Sequence, residues 1–179
     1  MRHVKVISAF GNEYRIRQYS AIDGFEFMTK MSSESPVLLL KDTSIKVGQK
    51  KWVPLDNRVA INDYVKDVLG IMNGHEVIDS VLALITEYNF GFLSTWKPIH
   101  IPARLCAPIG DKEKITFEDD PVMAQLIANQ IATMKELEEY YSLQDAFRMY
   151  DILISDNLNK ALSAEASHKE AVENSKRKK

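Results

Sequence analysis

Hydrophobic and polar positions change period near residue 20. Val4, Val6 and Ile7 lie in a β-prone run, Gly11-Asn12 follows, and Tyr14, Ile16 and Tyr19 then stand with Arg15, Arg17 and Gln18 between them. Alternation around a Gly-Asn pair predicts a β-hairpin over 3–19. Ser20 and Asp23 have the S-x-x-D spacing that starts a helix. Phe25, Met28 and Thr29 follow the helical period, with Phe27 and Met31 paired at i, i+4. Gly24 weakens that helix from within, and Ser32, Ser33, Ser35 and Pro36 end it.

Residues 37–40, VLLL, are too short to classify by period. Residues 41–58 are polar, broken by Gly48 and Pro54, with a short strand at Trp52-Val53. Val59, Val65, Val68, Leu69 and Met72 predict a second helix, for which Asn73-Gly74 reads as the stop. Val77, Ile78, Val81, Leu82, Leu84 and Ile85 predict a third, ending near Asn89 and packed antiparallel to the second. Gly91, Pro98, Pro102, Pro108 and Gly110 mark a linker, completed by the acidic stretch GDKEKITFEDDP.

Asp120 then caps a helix with Pro121 at its first position and Met123, Leu126, Ile127 and Ile131 on its apolar side. Thr133 and Glu136 form a T-x-x-E capping box for a short helix, and Ser142 caps another. Leu143, Phe147, Tyr150, Ile154, Leu158 and Ala161 recur at steps of three and four, with Ala146, Met149 and Leu153 widening the stripe. Beyond Ala164 the stripe fades, and fraying followed by disorder is expected.

The pattern therefore predicts an α+β, mostly helical fold. An N-terminal β-hairpin and helical lobe occupy 1–97, a linker 98–118, a second small helical lobe 119–163, and a frayed or disordered basic tail 164–179.

Composition is that of a globular chain: 45% apolar and 27% charged over 179 residues. The net charge of -2 lacks the basic excess of a nucleic-acid binder. Charge is uneven, with ten Lys/Arg against six Asp/Glu in residues 1–60 and three against eight in 111–140. Lys176, Arg177, Lys178 and Lys179 read as a solubilising tail. Basic and aromatic residues are not interleaved as a single-strand binder requires. A single cysteine, Cys106, allows no intramolecular disulfide and fits a reducing compartment. The N-terminus has no signal-peptide run, and no stretch reads as the ~20 apolar residues of a membrane span.

Catalytic patterns are missing from the sequence. The seven glycines form no phosphate loop, and no G-x-S-x-G elbow is present. Cys106 near His100 reads as a structural thiol. His75-Glu76 opens like a zinc-protease helix, but Asp79 stands where the second histidine belongs, leaving two ligands where a catalytic zinc needs three. No metal, cofactor or catalytic residue is assigned, and the chain reads as a non-enzymatic protein that holds other proteins.

Three segments carry a family resemblance. YRIRQYSAIDGFEFMTKM at 14–31, VIDSVLALITEYNFGFL at 77–93, and the run from Asp119 to Leu162 containing Tyr-Ser-Leu-x-Asp-Ala resemble, in that order, the tail assembly chaperones of long-tailed bacteriophages. The second includes the Asn-Phe-Gly phrase of Asn89, Phe90 and Gly91, followed by Phe92. The third resembles the C-terminal extension of the longer chaperone product. In many members a ribosomal frameshift joins the two parts, whereas here both stand in one frame.

The resemblance implies that the N-terminal part coats the tape-measure protein in the host cytoplasm, with self-association along that client. The extension would recruit tail-tube subunits, and the chaperone would be absent from the mature virion. Expected protein-binding residues are Tyr141, Leu143, Phe147, Met149 and Tyr150 on the last helix, with Phe90 and Phe92. Neither membrane nor nucleic acid is an expected partner. Two other readings compete: a tail or baseplate component retained in the virion, and a small regulatory nucleic-acid binder using the basic terminus.

Overall fold

The computed structural model describes residues 1–30, 34–105 and 120–177. The readings placed on Met31, Ser32, Ser33, Cys106, Pro108, Gly110, the acidic stretch as far as Asp119, Lys178 and Lys179 lie outside the described residues.

The expected hairpin is half of a larger sheet. Strands β1 (Val4–Ala9), β2 (Asn12–Arg17), β3 (Thr43–Val47) and β4 (Lys51–Pro54) form an antiparallel meander in that order. The first turn lies one residue earlier than Gly-Asn. Phe10 and Gly11 have φ of 55° and 76°, and two positive values are what a tight turn of this hand requires. Asn12 secures it, its side-chain amide donating to the Phe10 and Lys66 carbonyls. Register places Ile7, Tyr14, Ile45 and Val53 in one row across the sheet.

Helices α1 (Ala21–Lys30), α2 (Pro36–Leu39), α3 (Arg58–Tyr64) and α4 (Gly74–Phe90) accompany this sheet. The core joins Tyr14, Ile16 and Ile45 of the sheet to Tyr19, Phe27, Leu40, Val77, Val81 and Ile85. The stretch Gly74–Ser94 is long and apolar enough by composition to cross a bilayer. This departs from the sequence reading, although Val77, Val81 and Ile85 of that helix lie in the core.

Two helix boundaries differ from the pattern. The helix expected from Val59 to Met72 stops at Tyr64, and Asn73-Gly74 begins α4 rather than ending its predecessor. Asn73 is extended, its side chain accepts from the N–H groups of His75 and Glu76, and Glu76 reaches back to the Asn73 N–H. Other start signals form as read. Asp23 N–H donates to Ser20 Oγ, Val122 N–H to Asp120, Glu136 N–H to Thr133 Oγ1 and Asp145 N–H to Ser142 Oγ.

Residues Met1–Trp96 and Ala132–Ala146 make one compact unit. Within it α6 (Met134–Glu139) and the segment after it lie against α1: Ala21 N–H donates to the Tyr141 carbonyl at 2.9 Å, and Ser20 bridges Ser142. Gly24 is there for space, since a Cβ on it would stand 2.7 Å from Leu143 Cβ.

Lys97–Ile131 and Phe147–Lys179 make the second unit. It contains α5 (Pro121–Ala128) and all but the first turn of α7 (Leu143–Arg177). Helix α5 closes with Gln130 at φ 58°, Gln130 N–H donating to the Ile127 carbonyl and Ile131 N–H to that of Leu126. This is the left-handed helix stop that usually employs glycine. The expected fraying after Ala164 is not found, because α7 continues to Arg177. Glu165 supports the continuation by pairing with Lys169 one turn on, at 2.7 Å, and with Arg104 at 3.2 Å.

Candidate interaction surfaces

The residues expected to bind partners fall into two groups. Leu143 and Phe147 are core residues, 2% and 6% exposed. A side chain at that depth cannot dock on another protein without opening its own unit, so both are withdrawn as contact residues. Tyr141, Met149 and Tyr150 are half-buried, and Tyr141 packs edge-on against the exposed Tyr140 at 5.1 Å. Ile152, not singled out from the stripe, is 69% exposed on α7. Its position is two residues round from Tyr150, off the stripe that the period defines.

Phe90 and Phe92 sit beside the residue that gives their phrase its structural meaning. Asn89 is 5% exposed; its Oδ1 accepts from Tyr19 N–H at 2.7 Å and its Nδ2 donates to the Ile85 carbonyl at 2.9 Å. It thereby fastens the end of α4 to the junction of β2 and α1. Phe90 is half-buried, 6.1 Å from the Tyr19 ring. Phe92 lines a cavity of about 290 Å³ with Lys5, Ile7, Ile16, Leu84 and Tyr88.

Sequence reasoning missed the most exposed apolar group among the described residues. Val68, Leu69 and Ile71 are 67%, 71% and 81% exposed on the segment between α3 and α4. Their backbone is held from within. Asp67 accepts from the N–H groups of Leu69, Ile71 and Met72 at 2.9, 2.7 and 3.0 Å, and Val68 N–H donates to the Phe10 carbonyl. The Met72 N–H, then those of Leu69 and Ile71, hold the Asp67 carboxyl below the usual aspartate range. Val68 and Leu69 read as part of the apolar period of a helix. The signal against that was Asp67-x-x-Gly70, with Gly70 at φ 70°, a turn pattern inside an apolar run.

Comparison with known proteins adds nothing to these surfaces. No family model, curated protein or solved structure matches the chain. The surfaces are therefore read on their chemistry alone.

On the outer face of the sheet a groove of about 510 Å³ is lined by Arg2, Val4, Arg15, Arg17, Lys41 and Asp42, among others. Arg2 pairs with Asp42, and Lys41 with Asp23 at 2.7 Å. Burial raises the Asp42 carboxyl, and the Arg2 guanidinium opposes that shift. Arg15 stacks 4.8 Å over the Trp52 ring, so the sheet brings together a cation and an aromatic far apart in sequence. In the second unit, Ile101, Leu105, Ile154, Leu158 and Ala161 line an apolar hollow of about 190 Å³.

His75 and Glu76 are first-turn residues of α4, where Glu76 completes the cap. Among the described residues no three His, Cys, Asp or Glu side chains converge on a metal position.

Proposed function

We propose that this chain is a tail assembly chaperone of a long-tailed phage, which holds the tape-measure protein and recruits tail-tube subunits in the host cytoplasm. The observation that carries the reading is the loop at 67–72, where aliphatic side chains are held in solvent by a hydrogen-bonded backbone. Exposed apolar side chains on ordered backbone mark protein contact sites. A tape-measure protein exposes apolar stripes until the tube encloses it, and a holder of such stripes needs apolar contacts rather than a reactive centre. The order of the three resembling segments supports the same reading. Met149 and Tyr150, with Ile152 added and Phe147 removed, are the proposed recruiting residues of the second unit; in the first unit Tyr141 is kept by itself and Leu143 is removed.

The test uses the whole chain co-expressed with a tape-measure protein from the same genome. Leu69→Ser combined with Ile71→Ser should abolish co-purification with that protein while leaving the circular dichroism spectrum and unfolding midpoint unchanged. Normal co-purification by the double variant would remove the loop from the proposal. Mass spectrometry of purified particles separates the main alternative, because a chaperone is absent from them and a tail or baseplate component is present.

A further inference from the structure

The two faces of the sheet differ in character. Tyr14, Ile16 and Ile45 are buried in the core, so the residues alternating with them point the other way. Register sets these outward residues in rows. Val4 stands beside Arg17, Val6 beside Arg15, and Arg15 beside Ser44. Lys46 stands beside Trp52 and pairs with Glu13. The outer face therefore carries an aliphatic row, Val4 and Val6, each 54% exposed, alongside a cationic row, Arg17 and Arg15, both exposed.

The cations on and around this face divide by partner. Lys46 is neutralised by Glu13, Lys41 by Asp23 and Arg2 by Asp42. Arg15 and Arg17 have no carboxylate partner among the described residues, in a chain whose net charge is -2. Their cross-strand neighbours are Val6, Ser44 and Val4, none of them acidic, although opposite charges across strands are what stabilises a sheet surface. Nor do the two arginines guard an edge, a common use of exposed charge on a strand, because β2 is an inner strand. Arg15 is also held in place by its stack 4.8 Å over the Trp52 ring. A stacked guanidinium keeps its N–H edge for a bidentate acceptor and loses little freedom in taking one.

We propose that the outer face of the sheet docks an acidic amphipathic helix of a partner protein, with its carboxylates on Arg15 and Arg17 and its apolar side chains on Val4 and Val6. Charge and spacing select this occupant. Two unpaired guanidinium groups call for two carboxylates. Residues i and i+2 of a strand are about 6.8 Å apart, and residues i and i+4 of a helix about 6 Å, so acids one turn apart meet both arginines. The face offers two adjacent rows. An extended peptide turns one row of side chains toward the surface it lies on, whereas an amphipathic helix turns a stripe at least ~100° wide. Val4, Arg15 and Arg17 also line one groove of about 510 Å³, so the contacts lie on a concave surface. A nucleic-acid strand fits less well. Trp52, the aromatic side chain among these outward residues, is half-buried and already stacked by Arg15, and the valine row offers phosphates no partner. This docking does not rest on the function proposed above.

The test selects ligands for the immobilised full chain from a displayed library of random peptides of about 16 residues, roughly four helical turns. The chain carrying Arg15→Gln with Arg17→Gln serves for counter-selection. Enriched peptides should carry Asp or Glu at i, i+4 beside an aliphatic stripe. A synthesised winner should gain helical circular dichroism on binding and bind more weakly as salt rises. Its affinity should fall about tenfold or more for the double arginine variant, and as far when its own acids are replaced by their amides. Glu13→Gln with Lys46→Gln removes a pair from the same face without changing the net charge, and should leave affinity within about twofold. No enriched peptide, enriched peptides without acids, or equal losses in the two double variants would overturn the proposal. Tighter binding of oligothymidine than of the winner would give the face to nucleic acid and overturn it as well. Should the arginine variant unfold early, the acid and amide peptides compared on the unmodified chain still decide.

Discussion

Two tyrosines, both 1% exposed or less, show how much a single hydroxyl depends on its surroundings. Tyr19 donates to the Leu39 carbonyl at 2.5 Å. The Tyr14 hydroxyl is buried and makes no well-formed hydrogen bond among the described residues, the Asn12 side chain being near it but committed to the Phe10 and Lys66 carbonyls. Burial pushes the Tyr14 pKa up to about 12, with Asn12 acting in the opposite direction. Tyr19 is raised further by burial and by the Asp42 and Asp23 carboxylates. Both are neutral at physiological pH, so the difference between them is one of hydrogen bonding. Tyr19→Phe should cost about 1–3 kcal/mol, because the buried Leu39 carbonyl loses its donor. Tyr14→Phe should leave stability unchanged or raise it by up to about 1 kcal/mol, because it removes an unsatisfied group. Urea unfolding with equal m-values measures both; a large loss for Tyr14→Phe would mean that its hydroxyl has a partner. The sequence shows both rings on the buried side of the alternation. It does not show which hydroxyl is satisfied, since that depends on the carbonyl of Leu39 in a helix too short to have a period.

At the level of elements, start signals were more legible than partners or lengths. A cap is a local hydrogen bond between residues two or three apart, so Ser20, Asp120, Thr133 and Ser142 could be read directly. Asn73-Gly74 misled because the same two residues serve a helix start or stop. The deciding fact is the φ of Gly74, which is not positive, and nothing lies within 4 Å of where its Cβ would be. Gly74→Ala should therefore stabilise α4 by roughly 0.5–1 kcal/mol, and Asn73→Ala should cost roughly 0.5–2 kcal/mol. Thermal unfolding reads both signs, and a destabilising Gly74→Ala would restore the stop. Strand β3 was missed because Ser44 and Lys46 on the solvent face made 43–47 look polar, although Thr43 and Ile45 alternate inward as buried residues. The loop after α3 has its own pH signature. The folded pKa of Asp67 lies below its unfolded value, so its ordering effect is present above the unfolded pKa and is lost as pH falls through the folded one. Amide exchange at Ile71 and Met72 should be slow near pH 5 and should rise only below the ordinary aspartate pKa of about 3.9. In Asp67→Ala it should be fast throughout. Protection that survives in that variant would assign the loop's order to other contacts.

Across the whole molecule, periodicity gave the faces of the helices but not the neighbours those faces meet. Residues 132–146, grouped by linear order with the C-terminal helices, belong with the first unit. The physical clue was Gly24, which looked like a weakness within α1 and is the clearance for Leu143. A missing side chain in one segment answers a bulky one far away, and a single sequence cannot show that correspondence. The same grouping has a consequence for how the chain is made. Synthesis releases the N-terminus first, so the sheet and α1–α4 exist before Ala132–Ala146 has been polymerised. At about 5–20 residues per second the intervening segment 97–131 takes roughly 2–7 s to add. During those seconds the seats of Leu137, Leu143 and Ala146, all buried in the finished unit, stand empty. A newborn copy then carries unfilled apolar seats, and its own late-arriving segment must reach the vacancy ahead of any apolar stretch nearby.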